Sequence, residues 1–167
     1  MIYDLSLFGP HSGGSAEFSP DRVYRYALYR TWNESKPKVL FIGLNPSTAD
    51  ESLDDPTIRR CKGYAADWGY GGLIMANLFA LRATKPKIMM SHIAPIGPEN
   101  NSWLRDLAHQ ADLAIAAWGY HGGYLNRDRD VLAFLPKMKC LGTTKTGKPR
   151  HPLYMRADTR PEIYYDN

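Results

Sequence analysis

Four short apolar runs punctuate the chain at fairly even spacing: Val39–Ile42, Leu73–Leu78, Leu113–Trp118 and Met138–Leu141. Each is nearly continuous in hydrophobicity rather than alternating, as expected for a strand covered on both faces. The segments between them carry helical spacing. Asp55-Pro56 pairs an N-cap with a first helical residue, and Ile58, Cys61, Ala65 and Trp68 follow on one face until Gly69. Pro98-Glu99 opens a second helix with a stripe of Trp103, Leu104, Leu107, Ala108 and Ala111. Asn126 is positioned to cap a third, carrying Val131, Leu132, Phe134 and Leu135. Strand–helix alternation of this kind predicts a three-layer α/β/α sandwich around a central, mainly parallel four-stranded sheet. Ahead of it, Val23–Trp32 alternates enough to predict an edge strand or hairpin, its tyrosines 24, 26 and 29 packing on the flank. One domain over 1–167 is expected, with residues 1–35 an extension and 36–155 the core.

Composition narrows the class. With 167 residues, 44% apolar and 23% charged, the chain can bury one full core. Met1 to Pro10 lacks the pattern of a secretory signal, and no run of eighteen apolar residues occurs, so a cytoplasmic protein without a membrane span is expected. Cys61 and Cys140 are too few for a disulfide framework or a four-cysteine metal site and read as buried small hydrophobes. The net charge of +4 is modest, but Lys137 to Arg160 holds seven Lys or Arg against Asp158 alone. Such a stretch suits a polyanion or is simply a solvated tail.

Parallel strands end on one side of a sheet, and ligands bind beyond those ends. The four exits are polar and rich in Gly: Gly43–Asp50, Asn77–Arg82, Trp118–Gly123 and Gly142–Pro152. Asn45 before Pro46 shapes a turn or serves a site. Asn77 at the end of an apolar strand caps the next turn or recognises a ligand, since an amide left unsatisfied there costs roughly 1–3 kcal/mol. His151, between basic residues and prolines, is no core histidine; His92 and His109 read as surface residues, and His11 carries no assignment.

Those rim residues resemble the uracil-DNA glycosylase superfamily, and the chain looks like a member of a bacterial branch of it, the DUF1643 group. Gly43-Leu44-Asn45-Pro46 is similar to the superfamily's first motif, Ala76-Asn77 to its base-reading Asn, and His151-Pro152 to its last motif; Gly119 fits a common turn. The resemblance implies a DNA glycosylase-type hydrolase that cleaves the N-glycosidic bond of a damaged or modified, uracil-like base. By resemblance Asn45 orients the water and His151 donates to the base carbonyl; Asp50 is the carboxylate expected to act as base. Asn77, Gly43, Pro46, Phe79 and Trp118 would surround the base, Ser47, Lys145, Lys148 and Arg150 would hold the nucleic-acid backbone, and Leu153 would be the wedge.

Departures accompany the likeness. Ser47 stands where related enzymes carry Gly, Leu153-Tyr154 replaces Ser-Pro, and no aromatic lies between Pro46 and Thr57, so Tyr64, Trp68, Phe79 or Trp118 would have to stack on the base. No cofactor or metal is expected, DNA is the expected partner, and a monomer the expected state. Two other readings stand beside hydrolysis of a glycosidic bond: a non-catalytic nucleic-acid or nucleotide-binding protein using the same pocket, and a phosphohydrolase with Asp50, Glu51, Asp54 and Asp55 around Mg²⁺.

Overall fold

The computed structural model describes residues 13–135 and 137–166; Met1–Pro10 and His11 lie outside them. A single seven-stranded mixed sheet runs through it, in the order β1 (Gly13–Phe18), β2 (Arg25–Thr31), β4 (Gly72–Asn77), β3 (Lys38–Gly43), β5 (Leu113–Ala116), β6 (Lys137–Cys140), β7 (Glu162–Asp166). The four apolar runs are the four middle strands, and β4, β3, β5 and β6 are mutually parallel. The sheet is wider than expected because β1 and β2 on one side and β7 on the other add antiparallel pairings.

Period-two alternation divides the middle strands between two apolar clusters. Leu40, Ile42, Ile74 and Ala76 pack with Leu104 and Leu107 of α3 (Asn100–Gln110) and Val131 of α4 (Arg127–Phe134). Val39, Phe41, Leu73 and Met75 pack with Ile58, Cys61 and Ala65 of α1 (Pro56–Asp67). A six-residue helix, α2 (Pro86–Ser91), lies in the connection after β4 and buries Met89. Asp55 caps α1 through Ile58 N at 2.9 Å, as the Asp-Pro pair predicts. Asn126 does not cap α4 with its side chain: it adopts left-handed backbone (φ 55°), where its carboxamide makes no cap bond. Both cysteines are free and buried.

Of the two alternatives for Val23–Trp32, the hairpin holds, since β2 pairs antiparallel with β1, and the edge strand does not. All seven of its residues are buried, because β1 covers one side of it and β4 the other. The strand also contains an irregularity: Phe18 pairs with Arg25 but Glu17 with Ala27, which leaves Tyr26 as an extra residue. Tyr26 stacks on Trp103 of α3, and Ala27 belongs to the same α3-side cluster. The bulge thereby lets Arg25 face the α1 side, where it bonds the carbonyl of Ala49. Among the described residues no helix is long and apolar enough to cross a membrane.

Candidate functional site

After β3 the chain turns to α1 on one face, and after β5 it turns to α4 on the other. Neighbouring parallel strands whose connections part in this way leave a crevice beyond their carboxyl ends. A cavity of about 590 Å³ occupies it, walled by Gly43–Ser47, Asn77, Trp118–His121 and the segment around His151. Its size falls in the range of small-molecule sites.

Asn45, Asn77 and His151, quoted from three different strand exits, all line this cavity. Asn45 donates both amide protons internally, to Ala83 O at 2.8 Å and Pro46 O at 3.1 Å, which leaves Oδ1 as an acceptor. Asn77 is 4% exposed, and its Oδ1 is buried without a hydrogen-bond partner. An orphan of this kind in a cavity wall is costly unless a ligand or water completes it. Gly43 pairs with Asn77 across the sheet, and a Cβ there would come within 3.0 Å of the Asn77 amide nitrogen. His151 accepts from Leu153 N through Nδ1 at 3.2 Å, so the proton of its neutral form sits on Nε2. Burial holds its pKa below the ordinary 6.5, opposed by the negative charge of Asp55.

The end of β4 is held from behind by residues outside the motifs. Asn100, fully buried at the start of α3, donates to the carbonyls of Asn77 and Leu78 at 2.9 and 3.0 Å. Arg127, 1% exposed at the start of α4, donates to Leu78 O at 2.8 Å. The turn bearing His151 is tied to α1: the Tyr64 hydroxyl lies 3.0 Å from Arg156 O and 3.3 Å from Pro152 O, and Trp68 Nε1 donates to Thr159 O.

Several expected site residues lie elsewhere. Asp50 does not line the cavity; its Oδ1 accepts from Ser52 N and Leu53 N and closes a local turn. Asp55 lines it instead. Phe79 is fully buried in the α3-side cluster against Tyr124, and Tyr64 and Trp68 serve as anchors, so of the four aromatics considered Trp118 alone is in the wall. Trp118 is set by Gly122, where a Cβ would fall inside the indole. Two exposed aromatics that the motifs did not single out, Tyr120 and Tyr154, also border the cavity. So do Pro46, Ser47, Arg150 and Leu153, whereas Lys145 and Lys148 do not. Lys148 pairs with Asp128 at 2.6 Å. The basic stretch does not converge either: Lys137, Lys139 and Arg160 line a different hollow beside Tyr70 and Asp112.

The acids suggested for a metal are also dispersed. Glu51 pairs with Arg22, Asp54 with Arg30 and Lys62, Asp50 closes its turn and Asp55 caps α1. Among the described residues no group of three or more His, Cys, Asp or Glu is arranged to hold a metal ion.

Fold and cavity together define the class: a mixed α/β protein with a cavity at the carboxyl rim of its parallel strands that holds a buried, unpartnered polar group. The chain belongs to the family described as Protein of unknown function (DUF1643), whose family model matches residues 25–153. Every cavity-lining residue except Tyr154 falls inside that span. Comparison with curated proteins returned no match, and comparison with solved structures returned none either.

Proposed function

We propose that the cavity seats a nucleobase and that the protein hydrolyses the N-glycosidic bond holding that base, with the α/β fold a variant of the uracil-DNA glycosylase architecture. The observation that carries this reading is the set of complementary polar groups in one cavity. The buried Asn77 Oδ1 lacks a partner, Asn45 retains an acceptor, and His151 retains an Nε2 donor. A flat heterocycle with adjacent donors and a carbonyl satisfies such groups. An isostere lacking them leaves buried polar atoms unpaired, which is the strong form of discrimination.

In glycosidic cleavage the base departs with negative charge and the sugar turns cationic, so placed dipoles count for more than a strong nucleophile. His151 would donate to the leaving base and Asn45 would orient the attacking water. Because Asp50 is committed to its turn, Asp55 is the carboxylate in position to favour the sugar cation or accept the water's proton. Tyr120 and Tyr154 at the mouth, beside Arg150, suit stacking with flanking bases and phosphate contact in a nucleic acid, DNA foremost.

The test is a base-release screen on oligonucleotides carrying uracil, hypoxanthine, xanthine or hydroxymethyluracil, with and without EDTA. Release that is insensitive to EDTA and abolished in Asn45→Ala and His151→Ala, both folded, is expected; full activity in both variants overturns the mechanism. A second reading, base binding without cleavage, is favoured by the absence of Asp50 from the cavity. Tight binding with no released base across the panel would select it.

A further inference from the structure

Arg25 is 2% exposed in the wall of the same cavity, where the bulge in β2 aims it. It makes one side-chain hydrogen bond, Nη1 to Ala49 O at 2.9 Å, and its Nε is buried without a partner. None of the ion pairs among the described residues includes it. Burial pushes its pKa down to about 10, so it remains charged at neutral pH, and Arg30 and Arg82 add positive charge around it. Asp55 favours the charge through space, but its Oδ1 is committed to Ile58 N. A desolvated guanidinium with spare donors calls for an anion.

A second source of positive potential meets it there. Thr57 and Ile58, in the first turn of the twelve-residue α1, line the cavity beside the capping residue Asp55. Pro56 has no N–H and Ile58 N is bonded to Asp55, so what this end of the helix offers an oxyanion is its dipole.

We propose that Arg25, facing Thr57 at the start of α1 across the cavity lining, forms an oxyanion subsite, which takes a phosphate ester carried by the nucleotide whose base lies at Asn77 and His151. This rests on the base-binding reading for the nucleoside part, but not for the phosphate part. A subsite this deeply buried suits a terminal phosphate monoester. A phosphodiester within a strand continues on both sides and keeps to the mouth, near Arg150.

The experiment is calorimetric titration of the full chain with inorganic phosphate, deoxyuridine, deoxyuridine 5′-monophosphate and a single-stranded oligonucleotide holding one internal deoxyuridine. The 5′-monophosphate is expected to bind at least ~tenfold more tightly than the nucleoside, from one or more charge-assisted hydrogen bonds. Inorganic phosphate should compete with it, and Arg25→Met should erase the difference while leaving nucleoside binding in place. Arg25 also holds Ala49, so the wild-type comparison decides if the variant fails to fold: equal affinity for nucleoside and monophosphate overturns the subsite. Phosphate binding that depends on Arg25, with no binding of nucleoside or any gain from it, would keep the subsite and sink the base reading. An oligonucleotide binding as tightly as the monophosphate would keep the subsite and assign its ester to a strand.

Discussion

At the scale of single residues, the site is set by which atoms are already committed. Asp55 shows this best, because one oxygen caps α1 while the residue borders the cavity. Asn is as good an N-cap as Asp, so Asp55→Asn removes the charge and keeps the cap. On the glycosidic reading, base release should fall about a hundredfold, with the thermal midpoint nearly unchanged. A large loss of stability in that variant would mean its charge serves the fold instead. His151 makes a separate prediction. Its folded pKa lies below the unfolded value of 6.5, so the unfolded chain takes up the proton first as pH falls. The His151 contribution to stability is therefore whole above pH 6.5 and is lost as pH drops through the folded pKa. Protonation of Nδ1 also breaks the bond to Leu153 N. A ring-proton NMR titration should give a midpoint below 6.5, with the Leu153 amide shifting at the same pH; a midpoint at or above 6.5 would contradict this picture.

Among elements, the end of β4 is the place where architecture and site meet. Gly43 must lack a Cβ for the Asn77 amide to sit beside it, and Asn100 from α3 and Arg127 from α4 fix the carbonyls that define the strand's last residues. Asn100→Ala removes the side-chain donor to Asn77 O and one of the two to Leu78 O, which keeps Arg127, and should cost about 1–3 kcal/mol. If Asn100 positions Asn77, ligand affinity should fall in the folded variant as well, whereas a purely structural role predicts lower stability with unchanged affinity. Gly43→Ala is the converse: the fold should survive with modest loss, and binding or base release should fall at least tenfold because the Asn77 amide must move. The motifs at Asn45, Asn77 and His151 were legible in the sequence because polar residues directly after continuous apolar runs mark strand ends. Asn100 and Arg127 were not, since an Asn and an Arg at helix starts look like ordinary surface residues until tertiary packing buries them. Likewise α2 is too short to register as a periodic pattern, and β1, with the composition Gly-Gly-Ser-Ala-Glu-Phe, lacks an apolar run.

For the molecule as a whole, the question is which part of the chain is the core. The family resemblance, with the four continuous strands inside it, suggested a core over 36–155. β2 looked peripheral since its apolar residues are interleaved with Arg25, Arg30 and Thr31, a pattern that reads as one wet face. In the folded protein those polar residues are buried and satisfied in part by the loop after β3: Arg30 bonds Asp54 and the carbonyls of Asp50, Glu51 and Leu53, and Arg25 bonds that of Ala49. Strand and loop thus support each other, with Leu28 feeding the α1-side cluster and Ala27 and Tyr29 the other. A chain begun at residue 36 would expose the edge of β4, lose apolar contacts on both faces and release the loop that carries Asn45 to Asp55. It should show no cooperative thermal transition by circular dichroism. The milder Leu28→Ala should remain folded at a cost of about 2–5 kcal/mol, lowering the midpoint measurably. If the shortened chain instead melts cooperatively near the full-length temperature, β2 is an accessory after all, and the wall that Arg25 contributes to the cavity is attached to the core rather than part of it.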